Sequence, residues 1–178
     1  MIELVEELKM TREEILKKLR TEWELCLDDW DLPLTEDKEF ILTLLNEHQG
    51  SGDEPSALRN ASESLKNDKN FIIQAMNANG RALLDVNENF LKDKEIVLAA
   101  VSSNGLALQF ADDSLKKDKE VALAAVECDG YALNCVDESL KKDREVVMAA
   151  VEQNGTKYVL ELADQSLQND PDILALLE

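Results

Sequence analysis

The chain has 178 residues, of which 44% are hydrophobic and 32% are charged, and this composition favours an all-helical protein. Its 38 acidic and 19 basic side chains leave a net charge of -19, which argues against direct nucleic-acid binding because phosphate contacts need basic side chains. No stretch approaches the roughly 18 apolar residues that cross a bilayer, so we expect no membrane insertion. The charge favours a basic protein partner, although surplus glutamate also occurs on surfaces that only keep a protein soluble.

Residues 1–33 are predicted to form an N-terminal helical segment. Three glutamates stand among the first seven residues, where a targeting peptide would be basic, so we expect a cytoplasmic location. Thr11 and Glu14 form a capping-box pattern. Larger side chains then recur at helical spacing along one face: Ile15, Leu19, Trp23, Cys26 and Trp30. This face either caps the open end of the following repeats, or its two tryptophans form a docking stripe for another protein.

The sequence from residue 34 onward repeats with a period of about 25 residues. A looser first unit occupies residues 34–54, and regular units follow over residues 55–178. Each regular unit contains an aspartate before an apolar stretch: Asp68, Asp93, Asp118, Asp143 and Asp170. Four of the stretches end at a glycine: Gly80, Gly105, Gly130 and Gly155. A fixed period with atypical units at both ends is typical of a repeat array.

The apolar stretches are predicted to be α-helices. Asn-Gly and Asp-Gly between apolar runs also favour a β-hairpin, but strict alternation of polar and apolar residues is missing here. In "VALAAVEC" the small and apolar side chains instead recur with helical spacing, at Val121, Ala124, Ala125 and Cys128. We expect Asp118 and its equivalents to cap the start of each helix. We expect the glycine to end it in the left-handed conformation.

A second helix is predicted in each unit, for example over "LALQFADDSLKK", which places Leu108, Ala111 and Leu115 on one stripe. Helices of about ten residues are marginal alone, so neighbouring units must stabilise them. Alanine pairs at 99 and 100, 124 and 125, and 149 and 150 would allow close stacking. The predicted fold is all-α, an α-solenoid-like stack of antiparallel helix pairs preceded by an N-terminal helical cap.

The pattern in "SLKKDKEVALAAVECDGYALNCVDESLKKDREVVMAAVEQNG" resembles a family of tandem repeats known only as a domain of unknown function, DUF4116. Several columns recur together in register, and the resemblance covers about residues 55–178. It implies an α-helical repeat array. It implies no activity, because the family has no catalytic motif to carry over.

Residues that could carry catalysis or bind metal are sparse. The chain has one histidine, His48, and no Ser-His-Asp or Cys-His arrangement can be drawn around it. The cysteines, Cys26, Cys128 and Cys135, form neither an even set nor a Cys-x-x-Cys pair. Cys128 and Cys135 could approach across a turn as a redox pair, although buried thiols are the simpler interpretation. We expect no enzymatic activity, no cofactor and no specific metal site.

The leading hypothesis is a non-enzymatic protein-protein interaction module, or scaffold, whose acidic surface receives a protein or a basic peptide. The candidate surface consists of residues that differ between the copies: Arg81, Leu106, Tyr131 and Thr156 after the glycines, and Asp85, Phe110 and Cys135 further along. One alternative is a structural subunit built permanently into a larger complex through the Trp23 and Trp30 face and the open last repeat. A third hypothesis is an enzyme of unrecognised type.

Overall fold

The structure is a computed structural model that describes residues 33–47 and 57–177. The described residues form helices joined by short links, and no strand occurs among them. Residues 1–32 of the predicted N-terminal segment, with Trp23 and Trp30, lie outside the described residues, as does His48.

Five long α-helices, counted over the described residues, carry the repeat. They are α1 (Lys38–Glu47), α2 (Lys69–Ala78), α3 (Lys94–Ser103), α4 (Lys119–Cys128) and α5 (Arg144–Asn154). Each helix from α2 to α5 begins directly after one of the predicted aspartates. At α4, a carboxylate oxygen of Asp118 accepts hydrogen bonds from the N–H groups of Glu120 at 3.0 Å and Val121 at 3.3 Å. The predicted N-terminal caps are therefore confirmed.

The second helix predicted in each unit is divided into two short segments. The first is a six-residue 3₁₀ helix: Gly80–Asp85, Gly105–Phe110 or Gly130–Cys135. The second is a short turn of helix: Glu88–Lys92 (3₁₀), Asp113–Lys116 (α) or Leu140–Lys142 (3₁₀). The prediction of one continuous helix here is wrong.

The break between the two segments has a physical cause in the preceding unit. Ala111 is extended, with φ −65° and ψ 155°, and the N–H of the next residue, Asp112, donates to the carbonyl of Leu91 at 3.0 Å. The N–H of Asp137 likewise donates to the carbonyl of Lys116 at 3.1 Å. A continuous helix would use these N–H groups internally, whereas here they join neighbouring units.

The end units are less regular. The segments before α2 are Pro33–Glu36 (3₁₀), Ala57–Asn60 (3₁₀) and Glu63–Lys66 (α). The segments after α5 are Lys157–Glu161 (α), Pro171–Leu174 (α) and Ala175–Leu177 (3₁₀).

The units stack in two rows, one of long helices and one of six-residue 3₁₀ helices. From α2 to α5, each long helix packs against the next, and the three 3₁₀ helices also pack in sequence. Each 3₁₀ helix lies against the long helices on either side of it in the chain. The core between the rows is fully buried, as Val121 and Val126 in one row and Leu133 in the other illustrate. This arrangement confirms the predicted all-α, solenoid-like stack.

The glycines differ from the prediction at three of four positions. Gly155 has a positive φ, of 52°, and no other glycine among the described residues does. At Gly80, Gly105 and Gly130 the long helix ends instead at the preceding Asn or Asp, with φ between −151° and −156°, and the glycine begins the 3₁₀ helix. A Cβ on these glycines would overlap a carbonyl oxygen of the next long helix, that of Ala100, Ala125 or Ala150 respectively. Close stacking of units therefore requires glycine there.

Candidate interaction surfaces

Several residues that differ between the copies were predicted to bind a partner. Most of them lie along the stacked 3₁₀ helices. Arg81, Leu106 and Tyr131 are the second residues of successive 3₁₀ helices, and all three are exposed. The exposed fraction is 38% for Leu106 and 36% for Tyr131. Because the 3₁₀ helices pack against one another in order, these positions form a line along the array.

Tyr158, rather than Thr156, continues this line. The hydroxyl of Thr156 caps the Lys157–Glu161 helix by accepting a hydrogen bond from the N–H of Val159 at 3.4 Å. Tyr158 is 59% exposed, and its ring centroid lies 5.8 Å from that of Tyr131. The signal was present in the sequence, since the spacing between the aspartates lengthens from 25 to 27 residues at this unit. We call Arg81, Leu106, Tyr131 and Tyr158 the 3₁₀ row, although Tyr158 itself lies in the α-helical segment Lys157–Glu161.

The other predicted surface residues are less accessible. Asp85, Phe110 and Cys135 end their 3₁₀ helices and are half-buried. Phe110 and Cys135 pack against the core, and burial raises the pKa of the Cys135 thiol. Cys128 and Cys135 are both free thiols in the structure. Trp23 and Trp30, the remaining predicted contacts, lie outside the described residues.

A ladder of ion pairs connects the starts of the long helices. Lys94, the first residue of α3, places its Nζ 2.7 Å from Asp118 and 2.8 Å from Glu120 at the start of α4. Equivalent rungs join Lys69 to Asp93 and Glu95, Lys119 to Asp143 and Glu145, and Arg144 to Asp170 and Asp172. Lys38 pairs with Asp68 in the same way.

The ladder was not predicted, although its residues recur visibly as "DKE" and "DRE". Within one unit these three residues indicate only the start of a helix. Only stacking in register brings the basic residue of one triplet against the two acidic residues of the next. The sequence signal is therefore recognisable once the geometry is known.

The ladder aspartates at the starts of α3, α4 and α5 each serve two purposes. One carboxylate oxygen of Asp118 accepts backbone N–H groups, and the other accepts from Lys94. The hydrogen bond with Lys94 holds the pKa of Asp118 below its usual range, and the same bond raises the pKa of Lys94. These pairs are partly exposed to solvent, so each contributes modestly to stability.

Comparison with protein families identifies the repeats. The model described as Domain of unknown function (DUF4116) matches four times in tandem, over residues 37–92, 77–116, 93–141 and 118–168. Together these matches cover about three quarters of the chain. The chain belongs to the DUF4116 family. A search of curated proteins found no match to it. A search of solved structures found none either.

The DUF4116 units carry more negative than positive charge along the ladder. Each of the rungs that start at Lys69, Lys94, Lys119 and Arg144 combines one cation with two carboxylates. Such a rung keeps one net negative charge. The pairing within the array therefore leaves this edge acidic, in keeping with the net charge of -19.

Two further observations apply to the part of the chain that the structure describes. Its His, Cys, Asp and Glu side chains form no group of three or more that could hold a metal ion. Its helices include none that is both long enough and apolar enough to cross a membrane.

Proposed function

We propose that this DUF4116 array is a non-enzymatic interaction module, or scaffold, that receives a protein or a basic peptide along the 3₁₀ row. The observation that carries the proposal is the exposure of large apolar side chains at matching positions of successive units. Leu106, Tyr131 and Tyr158 are 38%, 36% and 59% exposed, whereas their neighbours Leu108, Leu133 and Leu160 are buried.

Such a line is a suitable docking surface for a physical reason. Exposed apolar side chains that lie close together lose water when a partner covers them, and a large contiguous set is typical of an interaction site. Tyrosine is enriched at interfaces because it joins a large apolar ring to a polar hydroxyl. The units hold these side chains on a packed framework, so little order has to be gained on binding.

The net charge indicates the chemistry of the partner. A molecule with a charge of -19 attracts cations from a distance and accelerates their encounter with it. The proposed partner therefore combines basic residues, which respond to the field, with apolar residues, which cover the 3₁₀ row.

A random-peptide display library selected on the purified full chain tests the proposal. We expect the selected peptides to be enriched in Lys and Arg and to bind more weakly at high salt. The triple variant Leu106→Ser, Tyr131→Ser, Tyr158→Ser should bind them at least about tenfold less tightly, as loss of central apolar contacts commonly does. Equal affinity for the wild type and the triple variant would contradict the proposal.

Leu174→Ser is the matched control. Leu174 is 40% exposed, much like Leu106, but it lies in the short α-helix Pro171–Leu174 and outside the 3₁₀ row. We expect it to leave the affinity for the selected peptides unchanged. Loss of binding in Leu174→Ser, with binding retained in the triple variant, would favour the alternative of a structural subunit that contacts a larger complex through the open last repeat.

A further inference from the structure

We infer that Tyr131 and Tyr158 together form a receptor for one arginine side chain of the partner. This inference rests on the proposed function and adds the identity of a contact. It starts from the two tyrosine rings, which are neighbours in space although 27 residues separate them in the sequence.

The ring geometry suits a cation that touches both rings. The ring centroids are 5.8 Å apart and the ring planes are inclined at 51°. A cation is attracted to an aromatic face when it lies within about 6 Å of the ring centroid. At this separation a single guanidinium can lie within that distance of both centroids. Because 36% of Tyr131 and 59% of Tyr158 remain exposed, solvent and ligands can reach the pair.

Carboxylates stand close to the pair. Asp129 accepts a hydrogen bond from the N–H of Tyr131 at 3.0 Å. Glu161 is exposed and follows Tyr158 by three residues in the same short helix, so the two side chains share a face. An arginine that touches both rings would therefore have carboxylates in its neighbourhood. Arginine fits better than lysine because its planar group stacks on aromatic faces.

Lys157 is exposed and directly precedes Tyr158, so its positive charge could compete with an arginine. Adjacent helical residues diverge by about 100° around the axis, so Lys157 does not share the face of Tyr158. Within the described part of the chain, the one cation found over an aromatic ring is Lys38, at 5.9 Å from the centroid of Phe71. The tyrosine pair is thus not already occupied by a described lysine or arginine.

The sequence allows an unusually direct test, because Tyr131 and Tyr158 are its only two tyrosines. The full chain labelled with 3-fluorotyrosine gives two fluorine resonances, one for each ring of the pair. The probe is N-acetyl-arginine amide, titrated at constant ionic strength, and the matched neutral probe is the citrulline counterpart. We expect both resonances to shift and saturate with the arginine probe. Equal shifts with the citrulline probe would overturn the inference.

Variants separate a two-ring receptor from diffuse attraction to an acidic protein. Tyr158→Leu keeps an apolar side chain and removes one ring, so the Tyr131 resonance should report an affinity about threefold to fivefold lower. Tyr158→Phe keeps the ring and should stay within about twofold of the wild type. An unchanged affinity in Tyr158→Leu would show that the rings do not act together.

Two controls keep the result interpretable. Lys157→Gln removes the nearby cation and leaves both rings, so the arginine probe should bind more tightly. Leu174→Ser changes an exposed leucine outside the 3₁₀ row and should leave the probe affinity unchanged. If the selected peptides require the 3₁₀ row but the arginine probe fails to bind, this inference is wrong and the proposed function stands. If the probe binds but no peptide requires the row, the proposed function is wrong.

Discussion

The joint after α4 and the joint after α5 begin with similar residues and fold differently. Asp129 and Gly130 end α4 with extended backbone at the aspartate, and the buried glycine enters a 3₁₀ helix. At the second joint, Gly155 takes a left-handed φ of 52° and is exposed. A Cβ on Gly130 would overlap the carbonyl oxygen of Ala150, whereas a Cβ on Gly155 would have no atom within 4 Å.

The difference shows that the neighbouring unit acts on the backbone of a joint, in addition to the two residues that the sequence adds after Gly155. The N–H of Gly130 donates to the side-chain oxygen of Asn154 at the end of the next long helix. Gly155 has no comparably regular unit stacked upon it, and its helix ends with the left-handed cap that was predicted for all four glycines. The final joint therefore has the backbone conformation that an isolated helix end would adopt.

The largest predicted effect sharpens this contrast. Gly130→Ala forces a Cβ into a backbone carbonyl and should lower the free energy of unfolding by about 3 kcal/mol or more. Gly155→Ala meets open space but must adopt a left-handed φ, which costs about 1 kcal/mol. Urea unfolding followed by circular dichroism measures both. Equal losses at the two positions would contradict the distinction between the joints.

Substitution by asparagine makes the same contrast sharper. Asparagine tolerates the left-handed conformation, so Gly155→Asn should change stability less than Gly155→Ala does. Gly130→Asn should be at least as damaging as Gly130→Ala, because the larger side chain meets the same carbonyl. If asparagine rescued position 130, backbone conformation rather than close stacking would be the reason for glycine there.

An intermediate effect is expected at the helix caps. Asp118→Ala removes the acceptor for two backbone N–H groups and the partner of Lys94, so it should destabilise the array by about 1 to 2 kcal/mol. Asp170→Ala should cost less because its helix, Pro171–Leu174, is a single terminal turn that can open locally. Thermal and urea unfolding test both variants. A larger loss at Asp170 would show that the final unit stabilises the stack more than an interior unit does.

The smallest effect concerns pH. The pKa of Asp118 is lowered by its hydrogen bond with Lys94, and that of Asp170 by its hydrogen bond with Arg144. A carboxylate with a lowered folded-state pKa stabilises the fold above its ordinary pKa, and this stability is lost as the pH falls below that value. The free energy of unfolding should therefore decline as the pH falls from about 5 downwards, through and below the ordinary range of an aspartate. Asp118→Asn should flatten part of this decline, and an unchanged profile would contradict the role of the ladder.

The candidate surface was predictable in part. Arg81, Leu106 and Tyr131 were recognised because they follow the glycines and differ between copies, and they are exposed. Tyr158 was missed because the residue directly after Gly155 was taken as the equivalent of Tyr131. The final joint is two residues longer, so the equivalent position lies two residues further along the chain. Tyr131 and Tyr158 belong to different units, so the contact between their rings cannot be predicted from the sequence of one unit.

The period, the helical character of the long helices and their aspartate caps follow from the repeat sequence alone, because these depend on residues within a few positions of one another. Three further features are visible only in the folded array: the second helix is broken, three glycines allow close approach, and the "DKE" triplets form a ladder. Each of these features depends on a backbone or side-chain group of the adjacent unit. The conformation of a short helix depends on the neighbouring unit that hydrogen-bonds to it and packs against it. That unit lies about 25 residues away in the chain.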